Sequence, residues 1–176
     1  RRWSVHSVNA CRAPQAVVRP ASTQEVSRVL ALAYREGVPV AGRGSGKTRA
    51  GAETLANLIL SSDPLPDDAV SEWGIVAPTF GDARDVCVEG PSGLRRALGG
   101  MVEHGGHVVN WNRSMGELYV DNGAIVYADG ADDGAFRVQG HNLRGCWTDE
   151  VGLWRQWETA WNESIAFAVR IEPEPA

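Results

Sequence analysis

Long apolar runs are missing from this chain. None approaches the roughly 20 residues that span a bilayer, and no leader-peptide pattern opens the sequence. A membrane is therefore not an expected partner. Cysteine is scarce: Cys11, Cys87 and Cys146 are odd in number, far apart and without metal-ligand spacing. That excludes a disulfide frame and points to buried or free thiols of a reducing compartment. His104, His107 and His141 also lack ligand spacing with Cys or Asp, so they read as surface or loop residues. Positive charge is in deficit. The net charge of −5 rules out a surface that is basic all over, as a general nucleic-acid glove would be. No internal repeat is visible. What remains is a 176-residue chain with 43% hydrophobic residues, enough for one domain with a core. Tryptophan is plentiful at seven, and Trp147, Trp154, Trp157 and Trp161 read as core or interface aromatics. The chain opens without Met and closes on Ile171-Glu-Pro-Glu-Pro-Ala176, so a piece of a longer protein is expected.

The pattern along the chain alternates between helix and strand. Residues 1–21 are irregular, broken by Pro14 and Pro20. Ser22-Thr-Gln-Glu25 is a capping box, and Val26, Val29, Leu30 and Ala33 give an amphipathic helix to about Glu36. Val38-Pro-Val-Ala41 is a short strand, followed by a glycine-rich loop and a helix ending near Ser61. Asp63 to Asp68 is a loop. Trp73 to Thr79 is a buried strand stopped by Pro78, and Gly81 to Val88 begins a helix. Pro91 to Leu98 continues helically until Gly99-Gly100. His107 to Trp111 is a strand. Glu117–Val120 and Ala124–Tyr127 form a hairpin about Asn122-Gly123. Residues 129–135 are rich in Gly and Asp and read as a mobile loop. Leu143–Thr148 is a strand, and Trp154–Ala168 is mostly helical. The expectation is an α/β fold: a mainly parallel sheet flanked by helices, with an inserted hairpin.

The residues with the clearest chemistry are Ala41-Gly42-Arg43-Gly44-Ser45-Gly46-Lys47-Thr48. They fit the phosphate-loop pattern [A/G]-x-x-x-x-G-K-[S/T]. Glycines let successive backbone N–H groups turn toward phosphate oxygens. Lys47 reaches the β- and γ-phosphates, and the Thr48 hydroxyl ligates Mg²⁺. A helix begins directly after, and its N-terminus adds partial positive charge. Nucleotide binding, with ATP or GTP and Mg²⁺ as ligands, is the reading. The second half of such a site is an acidic pair at a strand end, and Asp149-Glu150 closes an apolar strand. Asp149 is then the Mg²⁺ partner of Thr48, and Glu150 the base that polarises the attacking water. The plain alternative is that both acids cap the following helix.

Several segments, in order, are similar to one family. Gly42 to Glu53 resembles the phosphate loop and helix of the large terminase subunits of tailed bacteriophages, the ATP-driven DNA-packaging motors. Trp73 to Asp85, Val88 to Leu94, Asn112 to Ala124 and Arg137 to Arg155 resemble the segments that follow, the last of them carrying the second acidic motif. The resemblance covers about residues 41–172. It implies a P-loop NTPase-type domain over 41–176, cut before the coupling motif and the nuclease domain. It implies Lys47, Glu150 and Arg43 as catalytic residues, with Arg43 approaching the phosphates; the bland reading of Arg43 is a solvated loop arginine. It implies double-stranded DNA, a capsid portal and a small terminase subunit as partners, a ring homo-oligomer in the full-length protein, and the host cytoplasm as location. Thr79, Arg84 and Arg144 are weaker candidates for phosphate or DNA contact.

Residues 1–40 form an atypical N-terminal segment outside this resemblance. Ala16 to Gly46 is similar to the start of the FAD-binding domain of flavin-linked oxidases, and Gly42-Arg-Gly-Ser-Gly46 suits either family. Pro39 would remove a ladder donor from a central strand. A flavin-binding module and a nucleotide-binding but inactive interaction domain are therefore the two alternatives.

Overall fold

The computed structural model describes residues 46–62 and 70–169, together with the isolated positions Gln24, Arg28 and Ala31. Those three are helical and exposed, as the polar face of the expected 22–36 helix requires. The expected strand 38–41, loop residues 41–45 and the loop 63–68 lie outside the described residues.

Helix α1 (Lys47–Ser61) buries Gly51, Ala52, Leu55, Ala56 and Ile59, one stripe at helical spacing. Side chains reach two carbonyls of its last turns. Ser61 Oγ donates to Asn57 C=O at 2.6 Å, and Asn122 Nδ2 donates from the hairpin turn to Ile59 C=O at 2.9 Å.

Strand β1 (Glu72–Ala77) is buried from its second residue on. The other strands are β2 (Val108–Asn112), β3 (Glu117–Val120), β4 (Ile125–Gly130) and β5 (Leu143–Thr148). They form one sheet in the order β2-β3-β4-β1-β5. β1 pairs in parallel with both β4 and β5, while β2–β3 and β3–β4 are antiparallel. The α/β class is borne out, and the sheet is mixed rather than mainly parallel. The reason lies in the hairpin. Its turn, with Gly123 at φ 84°, connects β3 to a strand that becomes the inner neighbour of β1. The hairpin is thus part of the sheet, and β2 and β3 extend it antiparallel.

A second correction concerns residues 129–135. β4 runs through Asp129 and Gly130, and Ala131 and Ala135 are fully buried. Both Asp129 oxygens accept backbone N–H bonds, from Gly130 and Arg137 at 2.7 Å. The composition looked like a loop, but the acid is a buried connector. Burial, only partly offset by those bonds, pushes its carboxyl upward.

The sheet has a core on each face. One joins Leu55 and Ile59 of α1 with Trp73, Ile75, Val88, Leu94, Leu118 and Trp147. The other joins Val76 and Leu143 with Val138, Trp154, Ile165 and Ala168. β1 feeds both through its alternation of Ile75 and Val76. Short helices complete the layers: α2 (Phe80–Asp82), which continues as a π-helical turn (Ala83–Val88), α3 (Leu94–Ala97), α4 (Phe136–Gln139), α5 (Trp157–Thr159), a second π-helical turn (Ala160–Ile165) and α6 (Ala166–Ala168). Among the described residues no helix is long and apolar enough to cross a membrane.

Candidate functional site

The site is built where α1 begins and β5 ends. Gly46 adopts φ 81°, ψ 19° and hands over to Lys47 at the first helical position. A side chain would be strained at that φ. On the other side, β5 carries the chain to Asp149 alongside β1, whose Val76 C=O accepts the Asp149 N–H at 2.8 Å. Asp149 and Glu150 therefore stand just past the C-terminal ends of two parallel strands, where open α/β sheets bind ligands.

Asp149 is 4% exposed and held from several directions. Thr48 Oγ1 and Cys87 Sγ each donate to its Oδ2 at 3.5 Å. Trp154 Nε1 donates to its C=O at 3.0 Å. The Cys87 thiol is pushed far up, first by burial and then by the Asp149 charge. It stays a neutral donor. Glu150 has φ 48° and ψ 39°, rare for a residue with a side chain. Its Oε1 lies 3.6 Å from Lys47 Nζ. Lys47 is 11% exposed and Glu150 42%, so the pair closes the floor of a cleft that is still open to solvent.

That cleft has a volume of about 510 Å³ and is lined by Gly46, Lys47, Thr48, Asp85, Pro91 and Glu150, among others. Asp85 reaches it from the first π-helical turn, an irregularity often found at functional sites. Its carboxyl is lowered, first by the hydrogen bond from Arg84, and it also accepts from Arg113 Nη2 at 2.7 Å.

Of the residues singled out from sequence, Gly46, Lys47, Thr48, Asp149 and Glu150 converge on this one place. Ala41, Gly42, Arg43, Gly44 and Ser45 lie outside the described residues. Thr79 does not line the cleft; its hydroxyl closes a capping box with Asp82 at the start of α2. Arg84 is tied to Asp85. Arg144 lies within β5 and makes interactions of its own. Sequence reasoning missed Cys87, Asp85 and Trp154. Cys87 and Asp85 meet Asp149 or the cleft only through tertiary packing, and Trp154, five residues from Asp149, reads in sequence as just another core or interface aromatic.

The Thr48 hydroxyl and Asp149 carboxylate make a hard-oxygen donor pair. That suits Mg²⁺, which typically takes one or two protein oxygens and fills its other positions with water and substrate phosphates.

The molecule is thus an α/β protein with a mixed sheet and a lysine–carboxylate cleft at the ends of its parallel strands. Residues 39–161 match the protein-family model described as terminase large subunit, T4likevirus-type, N-terminal, and the chain belongs to that family. Membership makes it a DNA-packaging component of the terminase type, from a family whose members are generally ATPases. The segment 16–46, similar to the start of an FAD-binding domain, overlaps the match from residue 39 on and lies mostly outside the described residues.

Proposed function

We propose that this chain binds ATP with Mg²⁺ in the cleft between α1 and β5 and hydrolyses it to drive DNA packaging. One observation carries the reading. Lys47 and Thr48, at the start of a helix, line a single cavity with Glu150, far away in sequence, and Asp149 is buried directly behind the Thr48 hydroxyl. Loop 41–46 and the N-terminus of α1 would cradle the phosphates with backbone N–H groups. Lys47 would neutralise the β- and γ-phosphates, with Arg43 adding charge from the loop. Thr48 and Asp149 would hold Mg²⁺, which neutralises charge on the β- and γ-oxygens. Glu150 would accept a proton from a water attacking the γ-phosphorus in line. The bond to the β-bridging oxygen breaks, and ADP and inorganic phosphate leave. Family membership supports DNA and packaging partners in general; duplex DNA, the capsid portal, the small subunit and a ring of copies are the partners proposed for the full-length protein.

The test is Mg-ATP binding and turnover by the wild type, Lys47→Ala and Glu150→Gln. Lys47→Ala should weaken nucleotide binding, and Glu150→Gln should bind and fail to turn over. Unchanged nucleotide affinity in Lys47→Ala would sink the assignment.

A further inference from the structure

A second cleft, of about 430 Å³, adjoins the first and shares Gly90 and Pro91 with it. Its charged wall is Arg95 and Arg96, consecutive residues on α3. Leu94 and Leu98 are fully buried and pin this short helix to the core, which fixes where the arginines emerge. Gly99 and Gly100 follow at φ 75° and 90°, and a side chain at Gly100 would meet nothing within 4 Å. The rim is therefore low and open.

These two arginines differ from the others in the continuous described segments. Arg49 pairs with Glu53, Arg84 and Arg113 with Asp85, and Arg155 with Asp132. Arg137 donates to Met115 C=O and lies over the Phe80 ring, and Arg144 is engaged as well. Arg95 and Arg96 make no ion pair and no side-chain hydrogen bond among the described residues. The one acid on the cleft, Glu89, does not serve them. Its carboxylate is taken by Trp111 Nε1 at 2.7 Å and Arg113 Nε at 3.1 Å. So a protein of net charge −5 keeps two arginines without an ion pair among the described residues on the wall of one groove. Planar guanidinium forks match phosphate oxygens, and an open groove with glycine on its rim admits a polymer backbone.

We propose that the Arg95/Arg96 cleft binds the phosphodiester backbone of a nucleic acid. Taking that nucleic acid to be duplex DNA rests on the packaging reading above. The shared Gly90-Pro91 wall then sets the DNA contact directly beside the nucleotide cleft.

The experiment titrates the full chain with a labelled mixed-sequence DNA duplex over a range of salt, using wild type, Arg95→Gln/Arg96→Gln and Lys47→Ala. In the double Gln variant, affinity at low salt should fall about tenfold or more. The slope of log affinity against log salt should shrink by about 1–2, since each phosphate contact contributes roughly 0.9. Lys47→Ala should keep the wild-type slope. That separates failure of the DNA cleft from failure of the nucleotide site. Three results overturn the proposal: an unchanged slope and affinity in the Gln variant; inorganic phosphate displacing the duplex at constant ionic strength, which marks a free-anion site; or a changed sedimentation coefficient with unchanged DNA binding, which marks a contact between copies. If thermal melting finds the double variant unfolded, each single Gln variant is titrated instead, and an unaltered slope in both overturns the proposal equally.

Discussion

Lys47 Nζ stands 3.6 Å from Glu150 Oε1, so the cation at the head of α1 and the acid past β5 neutralise each other across the cleft. In the proposed reaction these groups have separate duties, phosphate binding and proton acceptance. An incoming phosphate must therefore compete with the carboxylate for the ammonium. In that proposed reaction, its success would leave Glu150 to face water.

That competition makes Glu150→Gln informative about binding as well as turnover. A neutral amide cannot rival phosphate for Lys47. Affinity for Mg-ATP should be equal to or tighter than wild type by fluorescent-nucleotide titration, while turnover drops by about 10²–10⁴-fold, the usual contribution of a general base. Weaker nucleotide binding in this variant would contradict the competition.

Gly51 lies on the face of α1 that meets Trp147. A Cβ there would sit 2.5 Å from Trp147 Cε2 and Nε1. Gly51→Ala gains about 1 kcal/mol of helix propensity and loses about 1–3 kcal/mol to overpacking, because the buried indole ring has little room to retreat. Urea denaturation should find a net loss of up to about 2 kcal/mol. A more stable variant would mean that the ring shifts freely.

Cys87 is 1% exposed, and its thiol is held in the neutral form by burial and by Asp149. In a background lacking Cys11 and Cys146, it should resist a thiol reagent in the folded state, even at mildly alkaline pH, and react promptly in denaturant. Rapid labelling of the native protein would show that the wall behind Asp149 opens.

Glu89 is held below its ordinary value, first by the hydrogen bond from Trp111 and then by Arg113. A lowered folded-state value means that the unfolded chain binds the proton more tightly. The stabilisation is complete above the unfolded value and is lost as pH falls through the folded one. Trp111→Phe removes the indole donor. It should lower stability at neutral pH and flatten the acid limb in melting experiments across pH. An acid limb identical to wild type would mean that the bond contributes nothing.

Local signals carried much of this fold. The phosphate-loop pattern announces helix α1, and short apolar runs with the Asn122-Gly123 turn mark all five strands, because each is encoded within a few residues. The phosphate-loop pattern and the acidic pair mark Lys47, Thr48, Asp149 and Glu150 in the sequence itself. Sheet order was not legible: nothing local states that β4 lies beside β1, so the hairpin looked like an insertion. Asp129 was misread for the same reason, since its loop-like neighbours Gly130 and Asp132 conceal a buried carboxylate held by distant N–H groups. Cys87 carries no motif at all, and its thiol meets Asp149 across 62 positions of chain.

The backbone at Glu150 has a further consequence. At φ 48° a glycine would rest more comfortably than a glutamate. Replacing this residue is thus a place where the chain can gain conformational ease by giving up its proposed base. A search for sturdier variants that ignored turnover would drift toward that substitution, and a screen that demanded turnover would keep rejecting it.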